Sequence, residues 1–171
     1  MSARLGVLSL VLAVALLLRT VLVPAIEIAG VGPDPVLLTV LALGLADGAG
    51  TGLRYGFAAG LAVDLLGGSA LPVGTWSLAL CLAGYGVGAM RVYLTGSALL
   101  GAIVAGTAAA LVAIGSAGAL ALLLDVGGVT PAGLLRAAVG TALYDLPFIP
   151  VVVPLVAAVS RRWSGPAALP G

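Results

Sequence analysis

The sequence predicts an all-α protein, a polytopic membrane helical bundle of about six segments whose last helix is broken by proline. Three observations predict it. Of the 171 residues, 62% are hydrophobic and only 8% charged. The apolar runs approach or exceed the roughly 17 to 25 residues that cross a bilayer. The loops between them stay within about a dozen residues, which leaves no room for a soluble domain of core-forming size. Residues 1–162 therefore read as a single transmembrane domain and 163–171 as a short cytoplasmic tail.

The first segment, 5–23, follows the basic start Met1-Ser2-Ala3-Arg4. That start also suits a signal peptide, but Arg19 interrupts the run and Pro24 adjoins the only cleavage-like site, so the segment reads as retained. Next come two shorter runs, 35–46 and 53–66, separated by Asp47-Gly48-Ala49-Gly50-Thr51-Gly52. At about 1.5 Å per residue neither clearly spans about 30 Å of hydrocarbon. A short helical pair or a re-entrant hairpin is expected, which would make the count five.

A turn over 67–72 leads to the fourth segment, 74–90, which ends at Arg91 and Tyr93. The fifth, 96–124, is rich in small residues and stops at Asp125-Val126-Gly127-Gly128. Thr130-Pro131 then supplies an N-cap and a proline at the first helical position. The last segment extends to Ser160 and closes with Arg161-Arg162-Trp163.

Arginine positions set the orientation. With the N-terminus inside, six crossings place Arg4, Arg54, Arg91, Arg161 and Arg162 on the cytoplasmic side and Glu27, Asp34 and Asp125 outside. Both termini are then cytoplasmic. Tyr55, Tyr93 and Trp163 mark the inner interface and Trp76 the outer one.

Gly44 with Gly48, Gly56 with Gly60, and Gly84 with Gly88 have the four-residue spacing that lets helix backbones approach closely. Charges inside the runs are more specific, since each costs about 2.5 to 3.5 kcal/mol at the bilayer centre. Arg19, Asp64 and Arg136 lie toward the outer ends of their segments, where they can pair with one another or reach the interface. Asp145 lies too deep to reach water, and Arg136, nine positions away, is not its helix-face neighbour. Its partner must come from another helix or another chain, or else the carboxyl is protonated. Pro147, Pro150 and Pro154 remove the amides that would bond the carbonyls of Leu143, Leu146 and Pro150, so the run should break just after Tyr144-Asp145. Broken helices border binding sites in transporters.

Composition argues against several functions. The seven basic residues are all arginines scattered at segment ends, so no patch exists to hold nucleic acid. There is no histidine, and the one cysteine, Cys81, stands alone, so neither a zinc set nor an intrachain disulfide is expected. Asp47-Gly48 with Arg54, Gly60 and Asp64 is similar to the aspartate-rich signature of CDP-alcohol phosphatidyltransferases. Gly44 and Gly68 stand where two more metal-binding aspartates are needed. No histidine activates a serine or threonine, and no glycine-rich loop carries a phosphate-binding lysine. No enzyme activity and no cofactor are expected.

Four stretches carry a further likeness. They are Pro33-Asp34; Gly56-Phe57, Gly60-Leu61 and Asp64-Leu65; Trp76 through Leu80-Cys81-Leu82 to Gly84-Tyr85 and Gly88; and Tyr144-Asp145 with Pro150, Pro154-Leu155 and Arg161-Arg162. Together they resemble the MreD family of bacterial rod-shape-determining membrane proteins, of the high-GC Gram-positive type. Pro35 departs from the leucine expected after Pro-Asp, and Pro147 adds a proline to the last motif. The resemblance implies a six-helical fold similar to the substrate-binding subunits of energy-coupling-factor transporters. It also implies a non-catalytic subunit that binds MreC and works beside MreB, RodA and a class B penicillin-binding protein, in contact with membrane lipid. A groove near Asp64 and Asp145 is expected to receive a partner's helix, because close-packed glycines and an unpaired carboxylate both need a protein neighbour. The alternative is a vitamin- or metal-binding transporter subunit. Its pocket would need polar and aromatic side chains converging at one depth, and the sequence offers few.

Overall fold

A computed structural model describes residues 2–21, 23–27, 31–66, 71–94, 98–126 and 128–163. Their regular structure is helical: α1 (Ser2–Val21), a single turn α2 (Val23–Ile26), α3 (Pro35–Asp47), α4 (Ala49–Leu66), α5 (Thr75–Met90), α6 (Ala98–Leu123), α7 (Pro131–Asp145) and α8 (Ile149–Trp163). A 3-10 turn, Arg91–Tyr93, follows α5. The expected turn residues 67–70, Gly127 in the stop after α6, and 164–171 of the expected tail lie outside the described residues.

The bundle is organised around α3. Residues Val36 to Gly44 are buried without exception, and α1, α4, α5, α6 and α8 all pack against this helix. A helix that is apolar all round belongs inside a fold, and here Val36 to Gly44 are enclosed by protein while the end residues are half-buried. Its brevity therefore reflects a central position. Gly48 (φ 94°) turns the chain from α3 into α4.

Of the glycine-rich stretch separating the two runs, Asp47 ends α3, Gly48 is the turn, and Ala49 to Gly52 form the first turn of α4. Its physical reason is the partner helix. Gly52, Gly56 and Gly60 form a stripe along α4, and a Cβ on any of them would collide with the α5 backbone at Gly84, Leu80 or Trp76-Ser77. The α3 stripe joins the same contact, where a Cβ on Gly44 would stand 2.9 Å from the Gly84 carbonyl oxygen, and one on Gly88 would strike Ala49. Backbone-to-backbone packing of this kind is available only to small residues.

Alanines fill the corresponding role on α6. Ala102, Ala105, Ala109, Ala113, Ala117 and Ala121 are buried at spacings of three and four, the period of one helix face. The helix ends in a Schellman motif, with the Val126 N–H donating to the Ala121 carbonyl (3.0 Å), the Asp125 N–H to that of Leu122 (3.2 Å), and Asp125 at φ 52°. Thr130 caps α7 as expected, its Oγ1 accepting from the Gly133 N–H at 3.1 Å.

The expected break falls after Asp145. Helices α7 and α8 meet at a bend of 69°, with Pro147 and Pro150 at the break and Pro154 inside α8. Leu99–Leu123 is long and apolar enough to cross a membrane, and the bent pair passes the same test if taken as one span. Large apolar side chains cover much of the exterior, among them Leu17, Leu66, Leu100, Leu143 and Leu155.

Candidate functional site

Polar groups gather at both ends of α3. At its N-terminus Asp34 is the N-cap, with Oδ1 accepting from the N–H groups of Val36 (3.1 Å) and Leu37 (3.0 Å). Pro35 occupies the first helical position, where a missing N–H costs nothing. The other carboxylate oxygen of Asp34 is ion-paired with Arg19 from the end of α1. The Arg19 guanidinium in turn lies over the Trp76 ring, 5.0 Å from its centroid, in a cation–π contact. Finally, the Asp34 backbone N–H donates to Oδ1 of Asp145 at 2.8 Å. Asp34 thus ties α1, α3 and α7 together, and Arg19 extends the link to α5.

Asp64 is engaged differently. From the last turn of α4 it reaches across to α5, where Oδ2 accepts from the Gly74 N–H (2.8 Å), the Ser77 N–H (3.1 Å) and the Ser77 hydroxyl (3.2 Å), and Oδ1 accepts from the Trp76 N–H at 3.2 Å. Gly74, at the N-cap position of α5, has no side chain to perform this task. Asp64 supplies the cap from a neighbouring helix and places negative charge at the positive end of the α5 dipole.

The opposite end of α3 is fastened by Ser160 of α8, whose hydroxyl donates to Asp47 at 2.6 Å. Arg91 Nη1 donates to the Ala46 carbonyl at 3.1 Å, satisfying one of the acceptors left over at a helix C-terminus.

Several expectations change accordingly. Arg19 pairs with Asp34 and not with Asp64, which is held by α5 amides, and Arg136 is exposed on α7. Trp76 is half-buried under Arg19. The neighbour that Asp145 requires is this chain's own Asp34 backbone, 111 positions away. Gly56, Gly60, Gly84 and Gly88 likewise meet helices of the same chain. Asp64 and Asp145, expected to border a groove for a partner's helix, are both hydrogen-bonded within the chain. Tyr144 is half-buried beside Asp145, whereas Pro150 and Pro154 are exposed.

A cavity of about 780 Å³ lies beside the Asp34 cluster. Its walls come from α1, α2, the approach to α3, the end of α4, the start of α5, and the facing parts of α6 and α7. Arg19, Glu27, Asp34 and Trp76 line it together with Thr20 and Thr141, and the rest of the wall is mostly apolar. Arg19, Glu27, Asp34 and Trp76 thus share one cavity wall. No three His, Cys, Asp or Glu side chains among the described residues are grouped so as to hold a metal ion.

No family model, curated protein or solved structure matches this chain.

Sequence reasoning singled out Arg19, Asp34, Asp64 and Asp145 but missed their pairing, and it gave Glu27 and Trp76 no part in a cavity. A signal for Asp34 was present. Asp34-Pro35 repeats the N-cap and N1 device of Thr130-Pro131, which places both carboxylate and backbone of Asp34 at a helix start.

Proposed function

We propose that this chain is a multi-pass, non-catalytic membrane subunit of the MreD type, which binds MreC and helps organise peptidoglycan synthesis and cell shape beside MreB, RodA and a class B penicillin-binding protein. The supporting observation is that the stretches carrying the resemblance meet in pairs. Pro33-Asp34 bonds to Tyr144-Asp145 through the Asp34 N–H, and the Gly56, Gly60 and Asp64 stretch packs on the one containing Trp76 and Leu80. Six passes correspond to α1, α3, α4, α5, α6 and the bent α7–α8 pair, with both termini cytoplasmic and the Asp34 end outward. The apolar exterior then faces lipid and partner helices. Because the glycine stripes and carboxylates are used within the chain, MreC meets that exterior surface.

The test is recovery of tagged chain from membranes after cross-linking through a photoreactive residue at exposed Leu143 or Leu155. A cross-link to a protein with one N-terminal span and an extracellular β-rich domain supports the reading. Recovery free of MreC from every exposed helix face overturns it.

The cavity favours a second reading, a small-molecule binding subunit of a vitamin or metal transporter. Its volume lies within the about 300–1,000 Å³ of ligand sites. A vitamin retained in stoichiometric amount through purification would establish this reading in place of the first.

A further inference from the structure

We propose that the cavity beside Asp34 is a binding site for one zwitterionic membrane lipid, with an acyl chain in its apolar interior, the phosphate at Arg19 and the headgroup ammonium at Glu27. The inference rests on the membrane reading of the chain but not on MreC or any other partner.

The shape of the wall gives the first argument. Leu66 lines the cavity and is also 64% exposed, so the interior wall is continuous with the outer surface at the end of α4. Leu65 and Val73 border the same place and are exposed as well. A molecule already dissolved in the bilayer enters there without crossing water. Most of the wall beyond, including Ile114 and Leu134, is apolar, as a hydrocarbon chain requires.

Charge gives the second. Arg19 and Asp34 neutralise each other, and Glu27 is exposed with no ion pair to a described residue. The lining thus carries a surplus negative charge, which disfavours an anionic headgroup. Arg19 is not exhausted by its partner, however. Its contact with Asp34 runs through Nη1, its side chain remains 24% exposed, and a guanidinium has five N–H donors. The cation–π contact with Trp76 holds the guanidinium at the cavity wall and uses none of its N–H donors in a hydrogen bond. A headgroup with a phosphate and an ammonium matches both the available donors and the unpaired carboxylate.

The experiment uses the full chain purified in detergent, offered phosphatidylethanolamine or phosphatidylglycerol with identical acyl chains, with bound lipid counted by native mass spectrometry. One phosphatidylethanolamine should bind in preference to phosphatidylglycerol on the order of tenfold, the ratio for a single charged contact. Glu27→Gln should bring the two lipids to near parity. Ala137→Leu, which enlarges a cavity-lining residue of α7, should remove the adduct of both lipids while the helical circular dichroism is retained. Thr141→Leu, one turn further along, repeats the filling independently. Equal binding of the two lipids by the wild-type chain, adducts that survive both fillings, or a water-soluble compound occupying the cavity would each overturn the proposal. The membrane reading fails separately, if the chain is recovered without detergent. A monodisperse, detergent-solubilised chain with no selective adduct removes the lipid site alone.

Discussion

Asp145 accepts a hydrogen bond from the backbone of Asp34 at 2.8 Å, so the end of α7 is tied to the first residue of the central helix. The bond uses a side chain that is 3% exposed and an N–H that would otherwise be an orphan donor at a helix start. What matters at position 145 is therefore an acceptor. Asp145→Asn keeps one and should leave thermal stability in detergent near that of the wild type. Asp145→Leu strands the Asp34 amide and should cost about 1–3 kcal/mol, read as a lowered unfolding midpoint. Equal loss in both variants would show that charge, not the bond, is required.

Arg19 and Asp34 should behave as a coupled pair. Arg19→Met leaves a largely buried carboxylate uncompensated, and for partly exposed partners the loss should fall near or below the lower end of the about 3–5 kcal/mol seen for buried pairs. Asp34→Asn retains the cap and should cost less. Adding Asp34→Asn to Arg19→Met should recover stability. A double-mutant cycle in detergent measures this directly, and simple additivity would rule out the coupling.

The α4–α5 contact makes a positional prediction. Gly56→Ala and Gly60→Ala force two backbones apart and should each cost about 1–3 kcal/mol. Gly86, on the same α5 helix, has nothing within 4 Å of an added Cβ. Gly86→Ala should therefore be neutral or stabilise by about 0.5–1 kcal/mol through helix propensity. The three unfolding midpoints, compared in one detergent, check the contrast.

Asp64 acts on one helix terminus. Asp64→Ala should raise hydrogen exchange at the amides of Gly74, Trp76 and Ser77, which lose their acceptor, well before the centre of α5 is affected. Exchange mapped by mass spectrometry on short peptides resolves this. Uniform loss of protection along α5 would mean that Asp64 holds the helix as a whole.

The segment pattern was legible because it depends on local chemistry: apolar runs, the Thr130 cap and the prolines after Asp145 act on their own neighbourhoods in the chain. Asp47-Gly48-Ala49-Gly50-Thr51-Gly52 was misread for the complementary reason. Its glycines signal a loop locally, yet Gly52 is helical because α5 lies against it, a fact carried by residues thirty positions on. The same limit hid the Arg19–Asp34 pair, which joins the end of α1 to the start of α3, and the cavity, whose wall is drawn from several helices. Asp34 was the exception that could have been caught, from the proline that follows it.

The enclosure of α3 has an implication for biosynthesis. This helix is flanked by α1, made before it, and by α8, made long after it, while Asp34 and Asp47 wait for Asp145 and Ser160 respectively. A nascent chain that has emitted only α1 to α4 therefore holds its central helix half-wrapped, and α8 completes the sheath on arrival.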